Sequence, residues 1–313
     1  MTDAGPPAID PALFPALHRL CNAVLRVWPA HDRFLRRRFD GPGQDMLVAA
    51  NGVADRVLQT NPGRLDDLAA GYRWMCEAFQ AEELFFHRTG RYQRTTFAEA
   101  DEWIYQHSRH MPLYLDGMLV ALVLWRNHTD AIDLYRRRFL ATAPDGHDHL
   151  EIGPGHGLLL AYAAEAAGCR RACGWDISPA SLDRTRHLLT TLGLSGRVEL
   201  LQTDFLRERH DMAFDSIVLS EVLEHLEDPA TAMLRLHELT RPGGRVFLNV
   251  PVNSPAPDHI FLFRTPEDVE QVVRDAGFET DETHLLPATG LSLERARRQN
   301  GTISVVSILR RPG

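Results

Sequence analysis

His149-Leu150-Glu151-Ile152-Gly153-Pro154-Gly155-His156-Gly157-Leu158 is the stretch on which the reading of this chain turns. An apolar strand runs into three glycines at every second position, and an apolar helix follows. Glycine admits positive φ and lets a ligand lie against bare backbone, and the next helix offers unpaired N–H groups at its start. A turn of this kind predicts the first βα connection of an open α/β sheet, where ligands sit at the carboxyl ends of the strands. The spacing is G-x-G-x-G. A dinucleotide fingerprint, G-x-G-x-x-G, would need its third glycine at 158, where Leu158 stands. Glu151, two residues ahead of Gly153, would repel a pyrophosphate but suits a cationic ligand.

Downstream, short apolar strands alternate with amphipathic helices. Strands are predicted at His147–Ile152, Ala172–Ile177, Val198–Thr203, Ser216–Ser220, Arg245–Val250, Thr280–Leu285 and Ile303–Leu309. Helices are predicted at Leu158–Ala167, Pro179–Leu192, Pro229–Thr240 and Pro266–Ala276. The alternation implies βαβ units and a mainly parallel sheet. No helical segment of comparable strength separates the last two strands, so one of them is expected to be antiparallel. Upstream, residues 10–141 show helical periodicity and almost no strand pattern. Leu65–Phe86 reads as one helix stopped near Gly90, Thr96-Phe97-Ala98-Glu99 as a capping box, Pro112–Trp125 as an apolar helix, and Thr129 as the cap of another. Pro144-Asp145-Gly146 is the expected joint between a helical domain, 1–145, and an α/β domain, 146–313.

Composition narrows the chemistry. All 34 basic residues are arginine, which removes Schiff-base and P-loop lysine chemistry. The net charge of −8 argues against a nucleic-acid partner. Arg36-Arg37-Arg38 and Arg136-Arg137-Arg138 read as solvated helix faces. Four scattered cysteines form neither a disulfide framework nor a zinc spacing. The N-terminus lacks the pattern of a leader, and the longest apolar run, Met118–Trp125, is too short to span a bilayer. A reduced, cytoplasmic protein with no membrane partner is the expectation.

Residues 147–313 resemble a class I S-adenosylmethionine-dependent methyltransferase of the small-molecule or natural-product type. The likeness extends beyond the glycine turn. Gly174-Trp175-Asp176-Ile177-Ser178 ends the second strand, with Asp176 23 residues after Gly153. Gln202-Thr203-Asp204-Phe205 ends the third, and Ser220-Glu221-Val222-Leu223-Glu224-His225 follows the fourth. Arg241-Pro242-Gly243-Gly244 precedes the fifth. The resemblance implies a Rossmann-like, doubly wound, seven-stranded sheet with its last strand antiparallel, preceded by the helical domain. It implies S-adenosyl-L-methionine as cofactor, with Asp176 at the ribose and Asp204 at the adenine. Glu151, Gly153, Gly155, His156, Gly157, Ile177, Phe205, Ser220 and Glu221 complete the implied cofactor site.

Methyl transfer from a sulfonium rests largely on positioning, and an acceptor that loses a proton needs a base. His259, His225 and Glu221 are the candidates, with Glu224 and His156 nearby; Glu221 and His225 at i, i+4 would share a helical face. His259 sits beside Asp258 in the Pro-rich loop after the fifth strand. The helical half is expected to supply a small-molecule acceptor pocket, with Glu82, Glu83, Phe86, Tyr114 and Asp116 as candidates. Inward-facing acids there would favour an amine acceptor over an oxygen or carbon one. The helical half could also form a homodimer seam. No paired-carboxylate metal cluster is legible, and no metal is expected. Two other classes stay open: a nicotinamide oxidoreductase, which Leu158 opposes, and a non-catalytic cofactor-binding subunit.

Overall fold

In a computed structural model, residues 9–41, 43–209 and 211–313 are described. Most of the N-terminal stretch read as lacking a leader, residues 1–8, lies outside them. The helical half comprises α1 (Pro15–Val27), α2 (Asp32–Phe39), α3 (Gln44–Thr60), α4 (Leu65–Thr89), α5 (Phe97–Ala100), α6 (His110–Leu124) and α7 (Arg126–Leu134). The sheet half follows as β1 (His147–Ile152), α8 (Leu158–Glu165), β2 (Cys169–Asp176), α9 (Pro179–Thr191), β3 (Val198–Gln202) and β4 (Phe214–Ser220). It continues with α10 (Pro229–Leu239), β5 (Thr240–Val252), α11 (Pro266–Asp275), β6 (Glu279–Pro287), α12 (Leu293–Gln299) and β7 (Ile303–Arg310).

The seven strands lie in the order β3-β2-β1-β4-β5-β7-β6. Strands β1 to β5 pair in parallel, and β7 runs antiparallel to both β5 and β6. This is the expected doubly wound sheet with its last strand reversed. The chain leaves β1 toward β2 on one side and returns to β4 on the other. The carboxyl ends of β1 and β4 therefore flank the topological switch point where such sheets bind ligands.

Side-chain alternation sends each strand into two separate cores. On β5, Phe247 joins the core built by α1, α3, α4, α6 and α8, while Val246, Leu248 and Val250 join the core under α10 and α11. On β7, Val306 and Ile308 share the first core, and Val305 and Leu309 the second. The N-terminal helices thus cover the same sheet face as α8. Every residue of β1 is buried, as a parallel strand covered on both faces requires.

Helices α4 and α6 cross backbone to backbone. A Cβ on Gly71 would lie 2.9 Å from the Leu113 carbonyl oxygen, and one on Gly117 would lie 2.9 Å from that of Gly71. Leu119, Val120, Ala121, Val123 and Leu124 are fully buried, so the apolar run is core.

Several local expectations hold. Gly90 adopts φ +68° and receives the α4 terminus, and Thr96 with Glu99 forms a complete capping box. Thr129 does not cap a helix. It lies inside α7 and donates its hydroxyl to the carbonyls at the end of α6, among them Leu122 at 2.9 Å. Arg38 is not on a solvated face. It is 3% exposed and donates to the Leu124 carbonyl and to Thr129, securing the α6–α7 corner. Helix α12, between the last two strands, was not anticipated, because its Glu- and Arg-rich sequence carries almost no apolar stripe. No helix among the described residues is long and apolar enough to cross a membrane.

Candidate functional site

The carboxyl ends of β1 to β4 open onto a cavity of about 840 Å³ whose far wall is made by α4, α6 and α7. At the strand side stand Glu151, Gly153, Gly155, His156, Asp176, Ile177, Asp204, Phe205, Ser220 and Glu221. These are the expected cofactor positions, with one exception. Gly157 is not on the wall: it has φ +83°, and a Cβ there would come within 3.0 Å of the Thr185 backbone. It lets the loop pack against α9. Gly155, at φ +54°, faces open space instead, with nothing within 4 Å of where a Cβ would point.

Two acids mark this end. Glu151 is buried at the end of β1, and its Oε2 has no hydrogen-bond partner. Burial, reinforced by the nearby Asp176 charge, pushes its carboxyl up to about 8. Asp176 ends β2 and accepts the Ser178 N–H at 2.8 Å; burial raises it to about 6. Asp204 accepts the Leu206 N–H and borders Arg207 at 3.3 Å. His156 accepts the Leu158 N–H at 3.1 Å, and burial lowers its pKa to about 4, so it stays neutral. A buried acid with one unpartnered oxygen, bare glycine backbone and a second acid at the next strand end fit a ligand carrying both a cation and a ribose. S-adenosylmethionine carries both.

The other end holds the candidate bases. Glu221 has φ +55° and leads into a 3₁₀ turn, Leu223–His225, so it does not share a regular helical face with His225. Its Oε1 accepts the Asn249 amide at 2.9 Å, and burial pushes its carboxyl up to about 8. His225 Nδ1 lies 2.8 Å from the Asp258 carbonyl oxygen, and His259 Nδ1 lies 2.6 Å from that of Ser254. A carbonyl only accepts, so each Nδ1 carries the proton and each Nε2 presents its lone pair. Both Nε2 atoms face Glu224 Oε1, at 3.7 Å and 3.8 Å. Burial lowers the His259 pKa to about 4. Glu224 is fully buried and neither of its oxygens has a hydrogen-bond partner. Glu224, His225 and His259 place three ligand atoms within 4.8 Å of one another, an arrangement that could hold a metal ion and that the sequence reading did not anticipate. Tyr105 and Asp258 were also missed as a unit. The Tyr105 hydroxyl donates to Asp258 Oδ2 at 3.0 Å, joining the helical half to this end of the site.

The acceptor-side candidates mostly fail. Tyr114 lines the cavity. Glu82 is buried against Arg94 at 2.7 Å, away from the wall. Glu83 is exposed beside His87, and Phe86 packs on Tyr92. Asp116 is held between Arg64 and Arg184 at 2.6 and 2.7 Å. Glu82 and Asp116 are neutralised by arginines from other segments, pairings that periodicity does not reveal. From this half, the wall is instead mainly apolar: Phe79, Met111, Leu115, Met118, Leu122 and Trp125.

Fold and cavity together define a Rossmann-like methyltransferase architecture. Residues 124–301 match the family model described as a methyltransferase domain, more than half of the chain, and the chain belongs to that family, among the class I S-adenosylmethionine-dependent methyltransferases. It is similar to the ubiquinone biosynthesis O-methyltransferase of Thiobacillus denitrificans, 29% identical over 157 residues, covering 44% of this chain and 66% of that protein. It is also similar to the enzyme of the same name from Methylococcus capsulatus, 28% identical over 121 residues, covering 38% and 50%. The chain thus spans between half and two thirds of the length of these curated relatives. Among solved structures, the N-methyltransferase NodS from Bradyrhizobium japonicum in complex with S-adenosyl-L-homocysteine overlays with a TM-score of 0.47 at 19% identity. That overlay covers 70% of this chain and all of NodS.

Proposed function

We propose that this protein transfers a methyl group from S-adenosylmethionine to a hydroxyl oxygen on a small acceptor with an apolar body. The observation that carries the reading is that one cavity joins the glycine turn and its acids to an apolar helical wall and a pair of oriented imidazoles. Glu151, the Gly153–Gly155 backbone, Asp176 and Asp204 would hold the cofactor, with Ile177 and Phe205 as apolar contacts. Bound there, it supplies a methyl group activated by a sulfonium.

The rest falls to the chain's own residues. The wall from α4 and α6 excludes water and orients the acceptor, and such positioning is where most of the rate gain in a displacement of this kind arises. His225 or His259, each with an unprotonated Nε2, receives the acceptor proton. Residues 1–145 form the acceptor side, and 146–313 the cofactor side. The helical half gives an amine acceptor little of the inward acid that would favour it. Asp101 is the acid of the helical half that reaches the wall among the described residues, and its Oδ2 is taken by the Gln106 amide. The ubiquinone-pathway names of the relatives point to the same acceptor atom. Incubation with methyl-labelled S-adenosylmethionine and a panel of apolar phenols and matched anilines tests this. O-methylated phenols are expected; label on the anilines alone would overturn it, as would tight NAD binding with no cofactor uptake.

A further inference from the structure

We propose that Glu224, His225 and His259 form a binding site for a divalent cation of the zinc class at the base-bearing end of the cavity. Three potential ligand atoms converge there, Nε2 of each imidazole and Oε1 of Glu224. The Asp258 and Ser254 carbonyls hold the proton of each imidazole on Nδ1, which turns both Nε2 lone pairs toward Glu224. Orienting a histidine through a backbone carbonyl in this way is the usual arrangement around a bound metal. The Glu224 carboxylate is fully buried with both oxygens unpartnered, although a buried carboxylate is ordinarily hydrogen-bonded. A proton on Glu224 would not resolve this, because 3.7 and 3.8 Å are too long for a hydrogen bond to either ring.

Two imidazoles and one carboxylate are the donor set of catalytic zinc sites, which leave a coordination position open. Ligand atoms about 2.1 Å from a tetrahedral ion stand about 3.4 Å apart, so the observed spacing needs only a small inward movement. The buried Asp258 carboxylate adds negative charge beside the trio, which a cation would offset. His225 and His259 line the cavity, so the open position faces the space assigned to the acceptor. There the cation would bind the acceptor oxygen and make its hydroxyl more acidic; with both Nε2 lone pairs taken by the cation, the proton would pass to water instead of to His225 or His259. That last step rests on the methyl-transfer reading; cation binding itself does not.

The test is a titration of the chelator-treated full-length protein with cobalt(II), followed by its visible d–d absorption, and with zinc, followed by metal content after gel filtration. One equivalent of each is expected, with cobalt bands of the intensity typical of four- or five-coordinate sites. E224Q and H259A should each weaken zinc binding at least tenfold while affinity for S-adenosylmethionine stays within about twofold, which also shows that they fold. The wild-type cobalt spectrum decides the matter if either variant does not fold. Wild-type protein that binds S-adenosylmethionine but yields no cobalt bands and retains no zinc overturns the site, as does undiminished zinc binding in both variants. A cobalt spectrum without cofactor binding would instead sink the methyl-transfer reading and leave the metal site standing.

Discussion

Thr185 Oγ1 donates to the Gly155 carbonyl at 3.1 Å, tying α9 to the middle of the glycine turn. The same threonine leaves no room for a side chain on Gly157. One helix thus positions the turn twice, by a hydrogen bond and by close packing. Replacing Gly157 with Ala imposes an unfavourable φ and a clash with the Thr185 backbone, at a cost of about 1–3 kcal/mol. Thr185→Val keeps the shape and loses the bond, at about 1 kcal/mol. Denaturant unfolding should show both losses. Calorimetry should show weaker S-adenosylmethionine binding in both, and unchanged affinity in Gly157→Ala would mean that the turn does not shape the cofactor site.

Glu151 makes cofactor binding depend on pH. Burial raises its pKa from 4.5 to about 8, so folding favours the protonated form. Its stabilising contribution is full below about 4.5 and is lost as pH rises through about 8. A cationic ligand needs the carboxylate, so affinity should rise from pH 6 to pH 8, by up to about tenfold per unit. Glu151→Gln should flatten this slope, weaken binding and stabilise the unliganded protein at pH 8. Dissociation constants measured across that range decide it; an equal slope in the variant would clear Glu151 of the role.

The α4–α6 crossing admits no added atoms. A Cβ on Gly117 would meet both the Met75 Cβ, at 2.8 Å, and the Gly71 carbonyl oxygen. Gly117→Ala should therefore destabilise by about 1–3 kcal/mol. Gly52, in α3, has nothing within 4 Å of a Cβ, and Gly52→Ala should stabilise by about 0.5–1 kcal/mol through helix propensity. Urea midpoints that moved in the same direction for both variants would contradict the packing.

A bulkier side chain at Leu122 tests whether the two ends of the cavity act separately. Leu122 lies on α6 and lines the apolar wall. Leu122→Trp should raise the acceptor KM about tenfold or more, while S-adenosylmethionine affinity changes less than about twofold. A parallel loss of both would mean that the cavity is not divided as proposed.

Much of this protein is determined by local sequence. The glycine turn, the seven strands, the caps at Gly90 and Thr96 and the acids at the ends of β1 and β2 are set by residues close together in the chain. Their signals are periodicity, φ > 0 and capping chemistry, and all of these act over a few positions. What only the tertiary structure decides involves partners far apart. Asp116 and Glu82 face arginines from other segments rather than the acceptor, and Arg38 is drawn into the α6–α7 corner because the C-terminal end of α6 leaves carbonyls there. The convergence of His225 and His259 on Glu224 depends on the loop after β5 folding back over the end of β4. The orientation of each ring then depends on a backbone carbonyl, a group every residue possesses and no side-chain pattern records.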